Sequence, residues 1–449
     1  MSRIKNWLHR NRTSVRVAFV LQMCSMLAGV GLSLGWSRWL LRAMGDELNG
    51  LFLTFQGVTR LGGLGDLGMG GAVALRAGQL LGERDERGLR SFLAQARGLF
   101  ALLGLSSLGV VLVCSPWLPG WLQFATVPGA GSLTTLFLVG AAGVGTLIFS
   151  SYFFNLNYAH GTVTWPVLPS FLLGQLALVG HWRLAVNHAP LWLQYLPYLA
   201  AALAMLVLSK KLLDWSHPWL GEVTPWRCEG KAWRPLLASS GWVYLCGLGS
   251  AIYVTTDRLV LNAGFGPALI PKYFYNYKLC ELATTVVLTI SAVSLPKITQ
   301  WLASPQADEQ ARARSEIVRL NQLQVVLGSG AAMGYLAVNG WFIRWWLGEN
   351  YAVPLGWQLA FALNLATTTG GSLAVQVAGR CGANGLRRAG QLIGLTGVVN
   401  LGLAVWAMKL GSVVGVASAA VVAQSFLNVA LGVYVCRYLD LAVMRWLTR

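Results

Sequence analysis

Long apolar runs, each closed by a short polar cluster, recur along this chain from one end to the other. A helix that crosses a bilayer core needs about 20 mostly apolar residues. On that length the runs predict spans near 15–37, 48–72, 93–116, 131–154, 162–181, 190–209, 236–260, 273–295, 320–340, 355–377, 389–408 and 412–436. The first run follows a basic segment, as in a signal peptide. No convincing small-residue cleavage site follows it, so it reads as an uncleaved first helix.

Composition turns this pattern into a class. Apolar residues make up 55% of the 449 and charged residues 11%, where a soluble domain carries about 25% charged residues. So few charges cannot cover a water-facing surface. The net charge of +18 would suit a nucleic-acid partner, but the cations sit in clusters between apolar runs. That placement fits membrane loops facing anionic lipid headgroups and makes nucleic acid an unfit partner.

With the N-terminus inside, roughly three in four of the 34 Lys and Arg fall on the inner side, as the positive-inside rule requires. Trp36, Trp39, Trp182, Trp341 and Trp345 then fall near outer helix ends, where indole rings favour the interface. The expected location is a bacterial inner membrane, crossed many times, with both termini cytoplasmic. The seven cysteines show no CxxC spacing, so neither a metal site nor a disulfide framework is expected.

The expected fold is an all-α membrane protein of about twelve transmembrane helices in two six-helix bundles. The longest mixed inner loop divides it into an N-terminal bundle (1–213), a cytoplasmic linker (214–232) and a C-terminal bundle (233–449). An even number of spans per half gives both halves one orientation, the parallel-repeat arrangement. The pattern repeats weakly. Asn49-Gly50-Leu51-Phe52 opens the second span, and a charged segment from Leu81 to Arg87 precedes the third. Pro271-Lys272-Tyr273-Phe274 opens the eighth, and Ala303 to Arg314 precedes the ninth.

Ionisable residues inside spans cost about 2.5–3.5 kcal/mol each on insertion scales, so they face a cavity or a partner. Arg60 lies near the middle of the second span, where it would either hold a diphosphate bidentately or sit in an ion pair with Asp66 or Glu281. Lys278 and Glu281, at i,i+3, are side by side on the eighth span: a self-neutralising pair, or a cationic substrate contact with an acidic switch. Asp257 and Arg258, near the outer end of the seventh, read as a gate, a cavity wall or, for Arg258, an interface anchor. Asp66 lies among Gly62, Gly63, Gly65, Gly68, Gly70 and Gly71, a setting for a hinge or coupling residue. The GxGxxG formed by Gly63, Gly65 and Gly68 lacks the strand a dinucleotide fold needs. Gly31-x-x-x-Gly35 and Gly411-x-x-x-Gly415 are helix-packing faces at most.

Leu64-Gly65-Asp66-Leu67-Gly68-Met69-Gly70 with Arg76, the Gly82–Arg87 segment, Asp257-Arg258-Leu259-Val260-Leu261, and Gly266 seven residues before Tyr273 together resemble the polysaccharide flippases of the MATE-like (MOP) superfamily, the Wzx-type exporters of O-antigen and exopolysaccharide units. The resemblance implies a central cavity, alternating access and transport of a polyprenyl-diphosphate-linked glycan. It also implies cavity arginines, as in lipid II flippases, which favours Arg60 as a substrate residue. Arg60, Lys278 and Arg258 are thus expected to bind substrate, and Glu281, Asp257 and Asp66 to gate or couple. No cofactor is expected. Further partners would be membrane lipids, a polysaccharide polymerase and other assembly proteins.

Two rivals belong to other classes. A drug or metabolite antiporter of the same superfamily would need acidic cavity residues, whereas the mid-membrane charges here lean basic. A polytopic glycosyltransferase or polymerase would present large outer loops. Here those loops are short, and Asp46-Glu47 is the one acid pair in the first of them. A transporter is therefore expected rather than an enzyme.

Overall fold

A computed structural model describes residues 15–62, 69–70, 73, 77, 86–114, 117, 127, 131–159, 164–216, 230–303, 306–379 and 382–441. Eleven helices carry the described chain: α1 (Val15–Gly62), α2 (Glu86–Cys114), α3 (Leu133–Ala159), α4 (Thr164–Val186), α5 (Leu191–Ser216), α6 (Gly230–Phe265), α7 (Leu269–Ala303), α8 (Ala307–Trp346), α9 (Leu355–Ala378), α10 (Gly382–Lys409) and α11 (Val413–Tyr438). Helix α1 is two helices joined at Gly45, whose φ of 73° breaks the helical path. Only glycine visits that region freely. With α1 counted as two, each run read from the sequence carries one of these helices, and no strand occurs among the described residues.

Six helices, α2, α3, α5, α8, α10 and α11, contain a stretch long and apolar enough by itself to cross a membrane. Among the others, α7 mixes apolar and ionisable positions, with Lys272, Lys278 and Glu281. The protein is an all-α, multi-pass membrane protein.

The chain forms two compact units, Met1–Tyr244 and Leu245–Arg449. In the first, α3 packs on α2 and on α5, α4 packs on α5, and α1 touches α3. In the second, α9 packs on α8 and on α11, α10 packs on α11, and α7 touches α9. Shifting the labels by six maps these four pairs onto each other, whereas α4 also packs on α1 in the first unit and α8 on α7 in the second. Each unit has its own apolar core. One gathers Leu93, Phe100, Val144, Ile148, Tyr152 and Leu213, the other Ile298, Ile317, Leu373, Val377, Leu431 and Val435. Residues 217–229 of the expected linker lie outside the described residues.

The GxxxG spacings do not mark contacts between helices other than at the α10–α11 turn. A Cβ added at Gly31 or Gly35 would meet nothing within 4 Å, and one at Gly415 would meet Ala407 and Ser412 around the α10–α11 turn. The closest helix approaches occur elsewhere. A Cβ on Gly104 would lie 2.8 Å from the carbonyl oxygen of Gly145, and one on Gly249 would lie 2.5 Å from that of Ile393. Close approach depends on which faces meet, and spacing within one helix does not specify that.

Tryptophans gather in two groups. Trp36, Trp39 and Trp182 form one group, with ring centres 5.1 to 6.3 Å apart. Trp341 and Trp345 stack at 6.2 Å and are mostly exposed.

Candidate functional site

Helices α6 and α7 bring four of the six sequence-read residues into one cluster. The helices join at Gly266, with φ 83°, whose amide donates to the Asn262 carbonyl at 3.0 Å and closes α6. The turn folds α7 back so that Tyr273 and Phe274 reach Asp257 and Arg258. The Tyr273 hydroxyl donates to Asp257 Oδ2 at 2.5 Å. The Arg258 guanidinium lies 4.3 Å from the centre of the Phe274 ring, and the Lys278 ammonium lies 5.3 Å from the same ring centre. Phe274 and Lys278 are four residues apart on α7, so helical spacing alone places them together. One buried aromatic ring therefore serves two cations, each drawn to its π face.

Lys278 also forms an ion pair with Glu281 at 2.8 Å. The side-by-side arrangement read from the i,i+3 spacing is present, and half of the charge available to an anion is compensated locally. Both side chains keep some exposure, 16% and 33%. A buried ion pair is costly to desolvate, and this one is not sealed. An anion that displaced Glu281 would find Lys278 and Arg258 flanking one ring.

Asp257 is the buried acid of the cluster. Oδ2 accepts from Tyr273, while Oδ1 is buried with no hydrogen-bond partner. The Asn400 side-chain amide is also buried with no hydrogen-bond partner. Helices α6 and α10 run alongside each other, since a Cβ at Gly249 would touch Ile393, one at Gly397 would touch Gly249, and one at Gly264 would touch Met408. That register sets Asn400 level with the Thr256–Asp257 turn.

Arg60 and Asp66 were read on the other half. Arg60 lies within α1. Its side chain, and the whole of Asp66, fall outside the described residues.

The sequence reading missed two polar nodes. In the first unit the ring nitrogens of His181 lie 2.9 Å from the Tyr198 hydroxyl and 3.1 Å from Gln194 Oε1. The Thr59 and Tyr195 hydroxyls pair at 3.0 Å beside them. In the second, Asn276 donates to the carbonyls of Lys272 and Tyr351, both at 2.8 Å. It also accepts from Asn339 at 3.0 Å and, through its carbonyl, from Tyr335 at 3.1 Å. These nodes fix helices to one another. Their one sequence signal is a lone polar residue inside an apolar run. Asp46 and Glu47 are exposed and, with His188, line a cavity of about 350 Å³ beside the Gly45 kink.

No family model matches the chain, and no curated protein matches it in sequence. Solved structures do match in fold. One is titled "Lipid II flippase MurJ, inward closed conformation", with TM-score 0.66 and 16% identity over 93% of this chain and 87% of that one. Another is a multidrug resistance MATE family transporter of the MOP superfamily in an inward-facing conformation, with TM-score 0.62 and 13% identity over 94% and 98%. A MATE structure in the bent conformation gives 0.63 and 13%, covering 95% of each chain. The protein thus has the MATE-like fold of two six-helix bundles.

Proposed function

We propose that the protein is a flippase that moves a polyprenyl-diphosphate-linked oligosaccharide from the inner to the outer leaflet of a bacterial inner membrane during polysaccharide assembly. The observation that carries this reading is the pair of cations, Arg258 and Lys278, around the buried Phe274 ring on two helices whose apolar runs read as spans. A protein pays to keep cations there when an anion uses them. The fold shared with a lipid II flippase and with MATE transporters supports the same class.

In this reading Arg60, Lys278 and Arg258 hold the diphosphate through charge-assisted hydrogen bonds. Glu281 releases Lys278 as the anion arrives and takes it back afterwards. Asp257, with its free oxygen, is the coupling group, and Asp66 a hinge. Residues 1–213 and 233–449 move as two bundles about the 214–232 linker, with both termini cytoplasmic. Glycan and diphosphate cross in a wet path while the polyprenol stays in lipid. An anion leaving an inside-negative compartment gains about 2.3 kcal/mol per charge per 100 mV, so the potential assists.

The test is proteoliposome flipping of a polyprenyl-diphosphate oligosaccharide, read by glycosidase access to the outer leaflet. Wild-type protein should expose the glycan, and an Arg258→Gln/Lys278→Gln protein of unchanged melting temperature should not. Equal rates from the two proteins would remove the cluster from the path. Export of cationic dyes without glycan movement would instead favour the antiporter.

A further inference from the structure

Helices α2 and α3 touch backbone to backbone where Gly104 meets Gly145. Small residues on both sides of such a crossing leave a trough that no side chain fills. Here it is a cavity of about 340 Å³, lined by Ala101, Leu105, Ala142, Thr146, Phe149 and Leu206. Its walls are apolar. The Thr146 hydroxyl is spent on the Ala142 carbonyl at 2.7 Å. Leu105 is 64% exposed, so the trough opens on the surface of its bundle.

One end of this trough is charged. Arg97 precedes Ala101 by one turn on α2, and Phe153 follows Phe149 by one turn on α3. The Arg97 guanidinium lies 5.9 Å from the Phe153 ring centre. Its Nε is buried and has no hydrogen-bond partner, and among the described residues no carboxylate pairs with it. The positive-inside reading puts Arg97 at the cytoplasmic end of its span. The trough lies one to three turns deeper, at about 5.4 Å per turn. Apolar body below and lone guanidinium at interface depth reproduce the polarity of an inner-leaflet lipid.

We infer that this groove holds an anionic phospholipid of the inner leaflet, its phosphate on Arg97 and one acyl chain along Ala101–Leu108 and Ala142–Phe149. Guanidinium forks suit phosphate oxygens, and the exposed Arg87 and Arg90 on the same helix add attraction to an anionic surface. A diphosphate would call for clustered cations, yet Arg90 lies two turns from Arg97, about 10 Å along the axis. The occupant is thus a phospholipid rather than the polyprenol, and the site does not depend on the cargo.

The experiment is native mass spectrometry of the full chain extracted from nanodiscs of equal phosphatidylethanolamine and phosphatidylglycerol. Wild type should retain one phosphatidylglycerol. Arg97→Gln should lose it at least tenfold, while Arg97→Lys keeps part and Arg87→Gln keeps all. Thr146→Phe, which fills the trough and leaves the charge in place, should lose it too. Retention unchanged in Arg97→Gln and Thr146→Phe, or no preference between the two lipids, would overturn the site. Displacement of the retained lipid by equimolar polyprenyl phosphate would overturn the choice of a phospholipid.

Discussion

The Tyr273 hydroxyl donates to the Asp257 carboxylate at 2.5 Å, tying α7 to α6 at a point where both side chains are buried. A buried carboxylate with one satisfied oxygen is held in place by that single bond. Removing a partner from a buried polar group costs about 1–3 kcal/mol. Tyr273→Phe should therefore lower the melting temperature of the detergent-solubilised protein, and Asp257→Asn should lower it less. An equal melt for Tyr273→Phe and wild type would mean that the bond contributes nothing.

The Lys278–Glu281 pair gives a prediction of opposite sign for its two members. Glu281→Gln frees the ammonium, so the apparent affinity for a diphosphate-linked substrate should rise several-fold. Lys278→Gln should lower it by ten-fold or more. Titration of flipping rate against substrate in proteoliposomes reads both. A loss of affinity in Glu281→Gln would show that the acid itself contacts the substrate or holds the site together.

Asn276 carries four hydrogen bonds through its side chain and carbonyl. Asn276→Leu would strand the Tyr351 carbonyl and the Asn339 amide together. The cost should be several kcal/mol at about 1–3 kcal/mol per buried group, larger than for any single partner. Thermal unfolding of Asn276→Leu beside Asn339→Leu decides it, and a milder effect for Asn276→Leu would deny the node.

Gly104→Ala should destabilise the first unit, because the new Cβ would lie 2.8 Å from the Gly145 carbonyl oxygen. Gly109→Ala on the same helix meets nothing within 4 Å and should be neutral or slightly stabilising, since alanine is the better helix former. Matching melts for the two variants would contradict the close crossing.

The topology has its own check. Cysteines introduced singly at Asp85 and Gln310, in a background without other reactive thiols, should react with an impermeant maleimide only from the cytoplasmic side. Reaction of both from outside intact cells would invert the orientation.

The run lengths of apolar residues alone determined the number and place of the helices, because a bilayer imposes one length on every span. The two-bundle repeat was legible for the same reason, and so was the Lys278–Glu281 pair, which helical spacing enforces. Relations between helices were not. Phe274 between Arg258 and Lys278, Tyr273 on Asp257, the Gly104–Gly145 crossing and the unpaired Nε of Arg97 depend on which faces meet. Of the four glycines in GxxxG spacing only Gly415 packs, and it packs around its own turn, while Gly104, Gly145 and Gly249, which meet the backbone of a neighbouring helix, carry no such motif. Hydrophobic pattern fixes how far each helix runs through lipid. Only the packed structure chooses its rotation and register, and those decide which buried charges become neighbours.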